Sequence, residues 1–94
     1  MGKKEFENKL RAQLDQWEAE INRLRAKADV AQAEARVKYH EEIEELRVQK
    51  REAEARLDEL NNAGDDAWED MKAGMESAWK NLGDAVNKAA ARFK

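Results

Sequence analysis

Apolar or small residues step along the first two-thirds of the chain as Phe6, Leu10, Leu14, Trp17, Ile21, Leu24, Ala28, Ala31, Ala35, Tyr39, Ile43 and Leu46, then Ala53, Leu57 and Leu60, with Lys50 at one seam position. Most steps alternate four and three, the heptad pattern, which predicts one long coiled-coil helix over residues 1–62. From Ala31 to Ile43 the steps are four, four and four. Such a stutter relaxes the left-handed supercoil locally. The same stretch holds Ala26, Ala28, Ala31, Ala33 and Ala35, so a partner helix can approach closely there. On the polar faces Glu5–Lys9, Glu7–Arg11, Glu34–Lys38 and Glu52–Arg56 are i,i+4 pairs, each worth about 0.2–0.5 kcal/mol.

Turn chemistry appears next, at residues 63–66. Gly64 suits the left-handed position that ends a helix, and Asp66 with Glu69 has the spacing of a capping box. A second helix over 67–94 follows, in which the apolar pattern changes period. Ala67-Trp68-Glu69-Asp70-Met71-Lys72-Ala73-Gly74-Met75 is matched eleven residues on by Ala78-Trp79-Lys80-Asn81-Leu82-Gly83-Asp84-Ala85-Val86, and a shortened third copy ends in Phe93. Eleven residues make about three helical turns. Trp68, Met71, Met75, Trp79, Leu82, Val86 and Phe93 therefore share an arc of roughly 100°. Acids crowd the first turn (Asp65, Asp66, Glu69, Asp70) and Lys88, Arg92 and Lys94 close the helix, as the helix dipole favours.

Folded back about the turn, the short helix lays its stripe on residues 35–60 with partners whose numbers have a nearly constant sum. Trp68 meets Leu60, Met71 meets Leu57, Met75 meets Ala53, Leu82 meets Leu46, Val86 meets Ile43, Ala89 meets Tyr39 and Phe93 meets Ala35. Trp79 falls over Gln49 and Lys50, whose aliphatic stem can lie against the ring. The lengths do not balance: about 88 Å for the first helix against about 42 Å for the second. Phe6, Leu10, Leu14, Trp17, Ile21 and Leu24 are left without a partner in their own chain and are assigned to self-association. The expected fold is therefore all-α: a long antiparallel helical hairpin, a coiled coil, assembling as a homo-oligomer, a dimer, into an elongated helical bundle.

Composition narrows the function. Charged residues make up 41% of the chain, aromatic residues 6%, and Pro and Cys are absent, a profile of long helix rather than compact core. Without Cys there is neither disulfide nor thiolate chemistry. A net charge of −3 with both signs mixed offers no field for nucleic acid, and no basic patch is interleaved with aromatics, so no nucleic-acid partner is expected. The N-terminal stretch has no apolar run of a secretory signal and nothing approaches a membrane span, so a soluble cytoplasmic protein is expected.

Candidate chemistry is sparse. His40 and Glu44 share a helix face and the run Glu41, Glu42, Glu44, Glu45 surrounds them, but Val37 stands where a bundle metal site needs a second Glu. A solvated acidic face is the simpler reading, and no catalytic, cofactor-binding or metal-binding residue is predicted. The second helix offers two readings: packing against the first helix, or lying on a membrane surface with Trp68, Met71, Met75, Trp79, Leu82, Val86 and Phe93 in lipid. Its six acids against five bases in residues 65–94 give no attraction to anionic lipid.

The stretches Lys9–Ile21 (KLRAQLDQWEAEI), Tyr39–Leu46 (YHEEIEEL), Ala67–Gly74 (AWEDMKAG) and Ala85–Phe93 (AVNKAAARF) together resemble a family of small bacterial coiled-coil proteins described as stress-response or of unknown function. The eleven-residue pattern of the second helix alone is similar to those of apolipoproteins and desiccation-linked proteins. Neither resemblance implies catalytic residues or a cofactor. The expected function is a non-enzymatic oligomeric coiled coil acting through protein–protein contact in stress protection or scaffolding. The alternative is reversible binding to a membrane surface through residues 67–93.

Overall fold

The computed structural model describes residues 2–93; Met1 and Lys94, the outer ends of the expected segments 1–62 and 67–94, lie outside them. Three helices follow one another: α1 (Lys3–Asp29), α2 (Ala33–Asn62) and α3 (Ala67–Arg92). At 27, 30 and 26 residues they are each about 39–45 Å long, and they pack up, down and up into a bundle of 51 × 17 × 16 Å. The all-helical, elongated bundle is as expected. The hairpin arm made of one helix over residues 1–62 is not, because that helix breaks at Val30–Gln32.

No Gly, Pro or Asn marks this break; its residues are Val30, Ala31 and Gln32. The reason lies in what the break brings together. Phe6, Leu10, Leu14, Ile21 and Leu24 of α1, expected to await a second chain, are 0–5% exposed within their own, and Trp17 is half-buried against the same core. Burying a side chain of this size stabilises by about 1.5–3 kcal/mol, so the five together contribute roughly 8–15 kcal/mol at the upper limit. Interrupting a helix forfeits a few backbone hydrogen bonds of about 1 kcal/mol each. Burial wins. The last turn of α1 tightens, with Val30 N donating to Lys27 O (3.3 Å) and Ala31 N to Ala28 O (3.1 Å). Gln32 is extended (φ −62°, ψ 154°), and its carbonyl starts α2 by accepting from Arg36 N at 2.8 Å.

The second turn departs from its expected chemistry. No described residue has a positive φ, so Gly64 does not adopt the left-handed conformation. Asp66 makes no side-chain capping bond. The Gly64 carbonyl accepts from Ala67 N (3.1 Å) and Trp68 N (3.2 Å) instead. The end of α2 is closed from another helix. Its last turn holds no basic residue, and Lys3 of α1 donates its Nζ to the carbonyls of Asn61 (3.1 Å) and Ala63 (2.5 Å). A cation there satisfies orphaned carbonyls and complements the negative end of the dipole.

The register between α2 and α3 differs by one helical turn from the expected pairing. Phe93 stacks on Tyr39 with ring centroids 4.0 Å apart, where Ala35 was expected. At the opposite end Phe6 packs on Trp68 at 6.0 Å, so the first turns of α1 and α3 meet. With α1 in the third seat, the axis of the bundle is filled by all three helices. Leu24→Ala, at a fully buried position of α1, is expected to lower the unfolding free energy by about 2–5 kcal/mol in urea titration; a loss under about 1 kcal/mol would mean that α1 is not in the core.

Candidate functional site

The face of α3 defined by the eleven-residue repeat points inward. Trp68, Met75, Trp79, Leu82, Val86 and Phe93 are buried and Met71 is half-buried against them. Trp79 is the ring expected over Gln49 and Lys50. Its indole Nε1–H reaches α1 and donates to the Leu10 carbonyl at 3.0 Å, a buried bond that satisfies the one polar atom this large ring carries inside. To meet lipid, this face has to leave α1 and α2. No helix among the described residues is long and apolar enough to cross a membrane.

Lys50 ties two helices together. Its ammonium bridges Glu54 (2.9 Å) on its own helix and Glu18 (3.3 Å) on α1. Its pKa lies above the ordinary lysine value because Glu54 accepts its hydrogen bond; partial burial opposes this and Glu18 reinforces it. A cation whose pKa rises on folding lends stability that is complete below the unfolded pKa and is lost as pH climbs through the folded one. From the lysine's side, this tie between α1 and α2 is therefore lost as the pH climbs into the alkaline range.

Between α1 and α3 runs a groove of about 440 Å³, with Trp17 and Trp79 on its walls and Lys9, Glu76, Lys80 and Asp84 at its rim. The rim charges are of both signs and balanced. Gly83 matters to the wall: a methyl group there would sit 2.9 Å from Cζ2 of Trp17. The glycine is what lets the indole edge lie against the α3 backbone. Gly74 has open space around it.

Side chains able to do acid–base or nucleophilic chemistry do not converge. His40 Nε2 lies 3.1 Å from Asp29 Oδ1 across the first turn, while Glu44 is exposed on the surface. Ser77, the one serine, is also exposed. Among the described residues no three His, Asp or Glu side chains group so as to hold a metal ion. Glu42 is partly buried between α2 and α3, with Oε1 accepting from Arg92 Nη1 at 2.6 Å and Oε2 buried without a partner.

One surface stands apart from this solvated exterior. Among the described residues, the exposed large hydrophobic ones are Val30 (85%), Val37 (61%) and Val48 (44%). Val37 and Val48 are eleven residues apart, so they project within about 20° of one another on α2. Exposed Glu41, Glu44 and Glu45 lie between them and form a shallow open surface with Val48 and Gln49. The eleven-residue spacing was present in the sequence, but the heptad seam of α2 drew attention to its opposite face. Comparison with protein-family models, with curated proteins and with solved structures finds no match to the chain.

The two glycines of α3 give opposite expectations. Gly74→Ala should stabilise by about 0.5–1 kcal/mol, the ordinary gain of alanine over glycine in a helix. Gly83→Ala should gain less than that, or lose stability, and should shift the fluorescence of Trp17 as its ring moves. Equal gains at both positions in thermal melts would show that Trp17 does not rest on Gly83.

Proposed function

We propose that this chain is a non-enzymatic helical bundle that acts by docking another protein on the outer face of α2. The observation that carries the reading is the strip Val37, Glu41, Glu44, Glu45 and Val48. It exposes two valines on a face that serves no core, on a helix whose opposite side is anchored by Ile43 and Leu46. Apolar groups set among carboxylates fit a partner surface that pairs aliphatic side chains with Lys or Arg. Acidic residues steer such a partner and fix its register, and an already rigid helix loses little freedom on binding. The solitary Ser77 and the surface pair His40–Asp29 agree with a role without catalysis. Scaffolding or stress protection, the roles implied by the sequence resemblance, require only such a face.

A photo-crosslinking residue placed at Val48 is expected to trap one defined partner in cells, and the same residue at exposed Ala73 of α3 is not. Val37→Lys combined with Glu44→Lys should weaken that capture at least about tenfold while leaving stability within about 0.5 kcal/mol, as surface changes do. Equal capture from both positions, or none from Val48, would overturn the reading. Tryptophan emission should stay unchanged when vesicles of mixed zwitterionic and anionic lipid are added. A shift that Trp68→Phe with Trp79→Phe abolishes would favour instead a surface-binding role in which α3 leaves the bundle.

A further inference from the structure

The two turns of the bundle are built from different chemistry. The turn into α3 has Gly64, Asp65 and Asp66, and the helix end before it is held by Lys3. The turn between α1 and α2 has Val30, Ala31 and Gln32, with Ala28 before it and Ala33 and Ala35 after. Every one of these favours or tolerates a helix, and alanine favours it most. Val30 (φ −101°, ψ 2°) lies in the bridge region, about 40° from helical values in each angle. Gln32 is already helical in φ at −62° and departs only in ψ, at 154°. No side chain caps the start of α2. What spans the turn is exposed: Arg36 Nη2 to Ala31 O at 3.1 Å and His40 to Asp29 at 3.1 Å, contacts of a kind worth at most about 1 kcal/mol each.

The apolar seam also runs through this turn without losing its phase. Leu24, Ala28, Ala31, Ala35 and Tyr39 are separated by steps of four, three, four and four, so on a continuous helix they stay on one face. We propose that Val30–Gln32 is a hinge at which α1 and α2 fuse into one helix, and that two copies of this chain then exchange α1 to form an elongated antiparallel dimer. The proposal is independent of the docking strip on α2.

Each exchanged α1 occupies the seat it holds in the single chain. Trp79 then donates to Leu10 of the other copy, Trp17 rests on the other copy's Gly83, and Lys3 closes the other copy's α2. Because the same contacts form, exchange gives up little packing; it restores the helical hydrogen bonds lost at the turn and is opposed mainly by the entropy of association. Domain swapping of this kind is a low-cost route to a dimer, and its population follows concentration. Across the two-fold axis the hinge segments of the two long helices lie side by side. The residues they present are Ala28, Ala31 and Ala35, small enough for backbones to approach. The dimer is carried by two helices of about 90 Å, against 51 Å for the single bundle.

The full chain refolded at about 1 mM should contain a dimer by sedimentation and small-angle scattering, with a maximum dimension near twice that of the monomer, while refolding at about 10 μM gives monomer. Gln32→Pro fits the φ of the turn and is disallowed inside a helix. It should weaken dimerisation about a hundredfold or more with an unchanged monomer circular-dichroism spectrum. If that variant does not fold, Gln32→Gly should act in the same direction by about tenfold. In a Glu18→Cys, Lys50→Cys variant, a short bis-maleimide reagent should join the two positions, whose native side chains meet tip to tip at 3.3 Å, within one chain in the monomer and between two chains in the dimer. A wild-type chain that remains monomeric at 1 mM would overturn the proposal. So would a dimer whose crosslinks are all intrachain, or one that both Gln32 variants leave undiminished.

Discussion

An amphipathic helix laid on a single neighbour leaves both flanks of its apolar stripe in water, and three helices are the fewest that close around a common axis. That requirement governs this chain. Its stripes run almost its whole length, and with one 60-residue arm and one short arm the first half of the long arm has nothing to lie on. Breaking the arm at Val30–Gln32 gives three helices of 27, 30 and 26 residues, and every stripe then faces the other two. The roughly 8–15 kcal/mol available from burying Phe6, Leu10, Leu14, Ile21 and Leu24 outweighs the few hydrogen bonds the break gives up. Propensity alone favours the unbroken helix, and tertiary packing overrides it.

The same balance explains what could be read from the residues and what could not. Helical class and the buried faces of α2 and α3 were legible in the periodicity, and Gly64 with its acidic neighbours marked the place of the second turn although neither the left-handed glycine nor the Asp66 cap forms. The first turn was not, since Ala31 and Gln32 carry no turn signal and the seam keeps its phase through them. The constant-sum pairing of α3 with α2 missed by one turn at Tyr39 and Phe93 because it assumed two helices in the section. With α1 present, the Trp79 indole N–H points to the Leu10 carbonyl, and the whole stripe is shared between two partners. The acidic run on α2 was legible as a solvated face, but the two valines within it were not, for a simpler reason. An outward valine is invisible to a search for seam residues, and only the burial pattern distinguishes Val37 and Val48 from core positions.

Specific contacts rather than greasiness fix which face of α1 meets α3. A leucine stripe tolerates rotation by a residue or two, but the buried Trp79 bond to the Leu10 carbonyl does not, since an indole N–H left unpaired inside loses the worth of a hydrogen bond and its desolvation. Gly83 makes the second constraint: the edge of Trp17 lies against the backbone there, where a Cβ would sit 2.9 Å from it. Lys3 adds a third at the end of the bundle, where it ties the start of α1 to the last carbonyls of α2. Two of the three join α1 to α3 one turn apart and the third joins it to the end of α2, so together they set its rotation and its height.

Those contacts share a property that bears on assembly. None of them involves Val30, Ala31 or Gln32, and none requires that the α1 making them belong to the same chain as the α2 and α3 receiving it. The specificity of the fold is therefore concentrated in the interface between α1 and the α2–α3 pair, whereas the covalent link across that interface is the least determined part of the sequence. A bundle so constructed encodes the seat of α1 strictly and the identity of its occupant loosely. Strength of packing and freedom to exchange partners are then consequences of one arrangement, since the burial that stabilises the single bundle is the burial that a second copy would supply.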